Sequence, residues 1–187
     1  MMDEARFWSI IEATREAAKA KPRDRTTDFI DVHEQTLREA LTVLTPAEVA
    51  AFDVRIHEQK VRAYRWDLWG AAYWMHGGCG NDGFTDFRAC LISLGKDRFY
   101  AAIENPDSLA DIIGASDVPY MQAEGFQYVA GKVYKSLTGE DIPDSVYRGV
   151  TCPEKPIGYE PRVDHDDKEY MSARYPRLVA KLPEMGD

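Results

Sequence analysis

The chain has 187 residues, 44% of them hydrophobic, 29% charged and 11% aromatic, with a net charge of −9. That length suits one folded domain burying roughly 70% of its unfolded surface without staples. The acidic balance, with no dense Lys/Arg run, excludes nucleic acid as a general partner, because backbone binding needs a basic surface that releases counterions.

Cys79, Cys90 and Cys152 are an odd set. Met1 to Ala20 is charged and amphipathic, unlike a signal peptide, and no apolar run reaches the ~20 residues of a membrane span. The expectation is a cytoplasmic protein with reduced thiols.

The first helix is predicted over about Asp3–Ala20, where Phe7, Ile10, Ile11, Thr14, Ala17 and Ala18 share a face and Trp8 lies off it. A second is expected over about Asp28–Val43, with Thr27 as its cap and His33 half-buried at the edge of its apolar stripe. Thr45-Pro46-Ala47-Glu48 is a capping box with proline at the first helical position. It opens a third helix with Val49, Phe52, Ile56, Lys60 and Val61 in phase and His57 facing solvent.

The stretch that organises the chain is Tyr64–Ile113. Leu68–Met75 is apolar nearly all round, the mark of a helix buried on several sides. Gly70, Ala71 and Ala72 offer it small faces for close approach, and Asp67 is placed to cap it. The run His76-Gly77-Gly78-Cys79-Gly80-Asn81-Asp82-Gly83 cannot be helical. Asp82 is expected to cap the next helix, which Gly95 ends. Lys96–Glu104 follows, then a short helix from Asp107-Ser108 to Ile113 and a long one from about Met121 to Leu137. Beyond Gly139, prolines 143, 153, 156 and 161 break the periodicity, and a short helix is expected from Asp166-Asp167 to about Arg174. The fold class is mainly α: a single-domain helical bundle over 1–139 with an extended, proline-containing C-terminal arm over 140–187.

The segments Tyr64-Arg65-Trp66-Asp67-Leu68-Trp69, Gly77-Gly78-Cys79, Asp82-Gly83-Phe84, Phe87-Arg88, Leu91-Ile92-Ser93 and Asn105-Pro106-Asp107-Ser108-Leu109-Ala110 carry a resemblance. So do Phe7-Trp8 and Tyr175-Pro176-Arg177-Leu178. Together they resemble the bacterial domain-of-unknown-function family numbered 4240 across most of the chain. Cys90 departs from the bulkier aromatic expected there. The resemblance implies a mainly helical cytosolic protein and transfers no activity.

The candidate binding residues cluster at the glycine turn: Trp66, Asp67, His76, Cys79, Asp82, Asp86 and Arg88. Two carboxylates, an imidazole and a guanidinium beside bare backbone suit a small polar ligand. The structural alternative makes Asp82 a cap and pairs Arg88 with Asp67 across two helices. His76-x-x-Cys79 is half a zinc site; Cys90, Cys152 or His165 do not complete it by spacing, and no metal is assigned. Asp164-His165-Asp166-Asp167 reads as a helix cap. Cys79 with His76 lacks the third group of a nucleophilic site, although a cysteine at a helix start invites a lowered pKa. No GK[ST] loop, GxGxxG or HExxH occurs, and no cofactor is assigned. The tryptophans read as core, with one free to line a cleft edge. The functional expectation is a non-catalytic binding or interaction protein whose partner is an unknown protein or a small polar ligand, with neither nucleic acid nor membrane. The alternatives are a small-molecule enzyme using Asp67, His76, Asp82 and Arg88, and an antidote-like partner of a basic protein.

Overall fold

In the computed structural model, residues 2–22, 27–114, 123–158 and 167–182 are described. Nine α-helices lie among them: α1 (Glu4–Ala20), α2 (Phe29–Thr42), α3 (Pro46–Arg62), α4 (Trp66–His76), α5 (Asn81–Ser93), α6 (Lys96–Glu104), α7 (Val129–Thr138), α8 (Lys168–Arg174) and α9 (Pro176–Lys181). Short 3₁₀ turns occupy Pro106–Asp111, Gly125–Tyr128 and Asp144–Tyr147. No described residue belongs to a named strand; a single parallel bridge joins Arg65 to Ile157. The fold is mainly α, as read from the sequence. No described helix is long and apolar enough to cross a membrane.

Side-chain caps from the residue before the helix set the starts of α1, α3 and α8. Asp3 accepts from the Arg6 amide at 2.7 Å, and both halves of the Thr45–Glu48 box form. Three expected caps move. Asp28, not Thr27, precedes α2. Arg65 precedes α4 and Gly80 precedes α5, so Asp67 and Asp82 sit in first turns. There their charges complement the helix dipole without capping geometry. The helix expected from Met121 begins as the 125–128 turn and becomes α-helical at Val129; residues 121–122 lie outside the described set. Asp164, His165 and Asp166 also lie outside it, while Asp167 caps α8 by accepting from Glu169 and Tyr170 amides.

Buried side chains from α1 to α9 form one core cluster. Trp8, off the apolar stripe in sequence, is 1% exposed and packs on Phe7, Phe99 and Tyr100. The stripe is widened by α6, which covers a second face of α1. His33 is fully buried, not half-buried. Thr14 Oγ1 donates to the Ile10 and Ile11 carbonyls, so His33 Nε2 carries the hydrogen of its 3.1 Å bond to that hydroxyl. Its Nδ1 is buried without a partner. Burial, reinforced by Arg15, pushes the imidazole pKa down to about 3.

The apolar helix α4 buries Leu68, Gly70, Ala71, Ala72, Trp74 and Met75. Its close approach comes from the C-terminal region. Tyr175, between α8 and α9, crosses Gly70 and donates to the Asp67 carbonyl at 2.8 Å. Asp107, 5% exposed, accepts from Arg177 and Leu178 amides at 2.9–3.2 Å and so caps α9. Residues Tyr175–Leu178, expected merely to follow a helix, therefore open a second one and complete the core.

Two outcomes follow. A Cβ at Gly70 would lie 2.6 Å from the Tyr175 hydroxyl, so Gly70→Ala is expected to cost about 1–3 kcal/mol by urea denaturation. In a Tyr175→Phe background the nearest atom becomes the ring carbon at 3.4 Å. There the same change is neutral or gains up to about 1 kcal/mol of helix propensity. Second, an unfolded imidazole takes up a proton near pH ~6.5 that folded His33 refuses until about 3. Stability is retained above that window and falls through it on acidification, with a His33 contribution approaching about 1.4 kcal/mol per pH unit. His33→Phe should reduce that slope in denaturation curves taken across the window.

Candidate functional site

The glycine turn does not gather its polar residues. Asp67 accepts from the Leu68 amide at 3.0 Å and lies 3.4 Å from Arg65 Nε, an ion pair without hydrogen-bond alignment. His76 ends α4 against the edge of Phe87, both ring nitrogens buried without partners, and burial lowers its pKa. Asp82 is exposed. No hydrogen bond or ion pair joins Asp67, His76, Asp82 and Arg88 among the described residues, so the expected Asp67–Arg88 pair does not form. Cys79 is no activated thiol: burial, with Asp86 nearby, pushes its pKa up to about 11. Its Sγ points to the Gly80 carbonyl at 3.8 Å. Among the described residues no three His, Cys, Asp or Glu side chains converge as metal ligands. Trp66 stacks on Trp69 at 5.3 Å, and Trp69 stacks on Phe84 at 4.7 Å while donating to the Cys79 carbonyl at 2.7 Å. These aromatics brace the turn.

Arg88 is 8% exposed and points the other way. It donates to the Phe84 and Lys60 carbonyls and to Thr85 Oγ1 at 3.0–3.3 Å. Its guanidinium lies over Tyr64 and Phe84, 4.8 and 5.1 Å from the ring centroids. The Lys60 carbonyl belongs to the last turn of α3, where carbonyls lack helical partners and a cation is favoured. Helix-end dipole and π faces thus take the place of the carboxylate.

This side of α5 backs a cleft of about 730 Å³ between α3, α7 and the arm. From α3 come Asp53, His57 and Lys60, spaced i, i+4, i+7 on one helix face. Lys132 and Lys135 come from α7, Gln127 from the turn before it, and Asp144 and Tyr147 from the arm. Asp53 is 4% exposed. The Tyr147 hydroxyl donates to Asp53 Oδ2 at 2.5 Å. His57 Nδ1 lies 3.0 Å from the Asp53 carbonyl and 3.2 Å from its carboxylate. A carbonyl only accepts, so Nδ1 carries the proton and Nε2 is the nitrogen left to exchange one. The bond to Asp53, outweighing burial, raises the His57 pKa; the side chain faces solvent, as expected, with its ring 4.7 Å from that of Tyr147. Burial, with Asp53 in support, raises the Tyr147 pKa and keeps its hydroxyl a donor.

Farther along the same α3 face Lys60 Nζ donates to Gln127 Oε1, whose amide passes the chain on to Asp86 at 3.1 Å. Among the described residues no carboxylate lies within ion-pairing distance of Lys60 or Lys132, whereas Lys135 is paired with Asp141 at 3.0 Å. Burial, then Arg88, brings the Lys60 pKa down to about 8. None of the sequence candidates lines this cleft; Asp86 and Arg88 reach its lining residues Gln127 and Lys60 by hydrogen bonds, and Trp66, Asp67, His76, Cys79 and Asp82 lie away from it. The missed residues had one sequence signal, the polar stripe Asp53–His57–Lys60 at helical spacing.

The chain belongs to the family described as "Protein of unknown function (DUF4240)", which matches residues 2–136. No curated protein and no solved structure matches it. The matched region holds the α3 stripe, Arg88, Gln127, Lys132 and Lys135; Asp144 and Tyr147 fall beyond it.

Tyr147 fastens the arm through one buried carboxylate. Tyr147→Phe should release it locally, speeding hydrogen exchange of the Val146 and Val150 amides by about tenfold, the equivalent of one charge-assisted hydrogen bond. Unchanged exchange would show that the arm is held by other contacts.

Proposed function

We propose that this family member is a binding protein that takes a small anionic ligand into the cleft between α3 and α7. The observation that carries this reading is the pair of lysines, Lys60 and Lys132, that line the cleft with no carboxylate at ion-pairing distance among the described residues, Glu34 acting on Lys132 only from farther off. Arg88 lies behind Lys60, its charge likewise unmatched by a carboxylate. The cleft's volume suits a small molecule. Its competing carboxylates are engaged: Asp53 by Tyr147 and His57, and Asp141 by Lys135. Asp144 at the arm is the remaining acid of the lining and favours a ligand that also carries a donor. In a chain of net charge −9, half-buried Lys60 and exposed Lys132 place two cations on one concave surface and favour an anion there.

The test is a thermal-shift and chemical-shift survey of small carboxylates and phosphates. A binder at about 100 Kd should stabilise the fold by about 2.7 kcal/mol and perturb the Lys60 and Gln127 resonances. The effect should weaken with salt and disappear in Lys60→Met/Lys132→Ala. Perturbations centred outside the cleft, or full binding by the double variant, would refute the assignment.

A further inference from the structure

We propose that Lys60 is a covalent site, whose Nζ condenses reversibly with the carbonyl carbon of a small aldehyde or ketone that also carries an acidic group. This deepens the binding reading above and rests on it. Lys60 sits half-buried on the cleft wall. Its one hydrogen-bond partner among the described residues is the neutral amide oxygen of Gln127. The Arg88 guanidinium is bonded to the carbonyl of Lys60 itself, at 3.0 Å. A lysine that is desolvated, beside a second cation and without a carboxylate is the arrangement that leaves a free amine available as a nucleophile near neutral pH.

The charged groups around it agree. Burial and Arg88 on α5 disfavour the ammonium; Asp53 on α3, Asp86 on α5 and Cys152 on the arm favour it more weakly, and the balance falls at about 8. Asp86 is held at one remove by Gln127 and does not pair with the ammonium directly. His57, three residues back on the same face, is fixed through Nδ1 to Asp53 and offers Nε2 for proton exchange. Lys132 faces the cleft from α7 and suits the ligand's acidic group.

The step is balanced without an oxidant or a reductant. The amine lone pair forms the N–C bond as the carbonyl π electrons move to oxygen. The two protons of the amine then leave with that oxygen as water, and a C=N bond remains. Gln127 Oε1 accepts from the amine and then from the remaining N–H of the addition product, while its own amide group stays bonded to Asp86; loss of that last hydrogen with the water frees the imine nitrogen from it.

The experiment incubates the full chain with glyoxylate and sodium cyanoborohydride, whose hydride reduces the imine to a stable carboxymethyl-amine that peptide mass spectrometry locates. At about pH 7.5 the folded protein should label Lys60 at least roughly tenfold faster than exposed Lys155, because the free-amine fraction follows the pKa. The Lys60 rate should level off above pH about 8, while the Lys155 rate keeps climbing. The preference should vanish in guanidinium, and Lys60→Arg should remove the adduct. Labelling of Lys60 no faster than Lys155 in the folded protein, or a preference that survives unfolding, would overturn the covalent step. If small anions still bind the cleft in the survey above, that result removes the covalent step alone; if they do not, both readings fall.

Discussion

Two buried guanidinium groups that donate to helix-end carbonyls tie the central helices of this fold together. Arg88 donates to the Lys60 carbonyl in the last turn of α3, and Arg15, 3% exposed, donates to the Ser93 carbonyl in the last turn of α5. Each reaches a helix end whose carbonyls lack intrahelical partners and whose dipole favours a cation. Each also lies over an aromatic ring: Phe29 for Arg15, Tyr64 and Phe84 for Arg88. The chain α1 to α5 to α3 is thereby fastened through backbone acceptors. A carboxylate partner would have neutralised Arg88 where it stands; a carbonyl partner leaves net positive charge behind the cleft. The chemistry of Lys60 descends from that choice, because its ammonium must coexist with an uncompensated neighbour.

A second constraint is steric. The helix α4 is so apolar that it must be covered from several directions. The last cover arrives from the far end of the chain, where Tyr175 lies across Gly70 and Asp107 caps the following helix. The absent side chain at Gly70 lets the hydroxyl reach the Asp67 carbonyl, and this is why Asp67 contributes its backbone to the structure as much as its charge. The C-terminal helices are core elements in consequence, with Met171, Tyr175, Leu178 and Val179 buried.

What the sequence made legible was local. The Thr45–Glu48 box and the all-round apolarity of Leu68–Met75 each depend on neighbours within a few residues and form where the sequence places them; the run His76–Gly83, expected to be non-helical throughout, is so only over Gly77–Gly80, because α4 keeps His76 and α5 already starts at Asn81. The site depends on distant partners: Gln127 lies 67 residues from Lys60 and Tyr147 lies 94 from Asp53. No spacing rule connects them. Arg88 is bonded to the Lys60 carbonyl and not to Asp67, because side-chain reasoning looks for a carboxylate and cannot see a backbone carbonyl. His57 faces solvent as its place beside an apolar stripe predicts; the spacing Asp53, His57, Lys60 on one helix face is the signal that it also meets Asp53. The glycine turn drew attention by composition, yet its glycines accommodate tight aromatic packing and leave its polar groups dispersed.

The arm joins the two halves of the picture. Its turn Asp144–Tyr147 presents Asp144 and Tyr147 to the polar cleft, while Pro143 and Val146 face a second, apolar hollow of about 550 Å³ lined by Ala50, Val54 and Tyr134. One short element is thus wedged between two surfaces, polar on one side and apolar on the other. Its polar hold is a single hydroxyl on Asp53, the carboxylate that also raises the pKa of His57. Protonating His57 draws charge from the acceptor that Tyr147 uses, and removing Tyr147 leaves His57 a stronger partner. Arm docking and His57 protonation are therefore linked through one buried group, and linkage of this kind is reciprocal. If the cleft takes the anion proposed above, its negative charge beside His57 would favour the protonated form and act on the same balance.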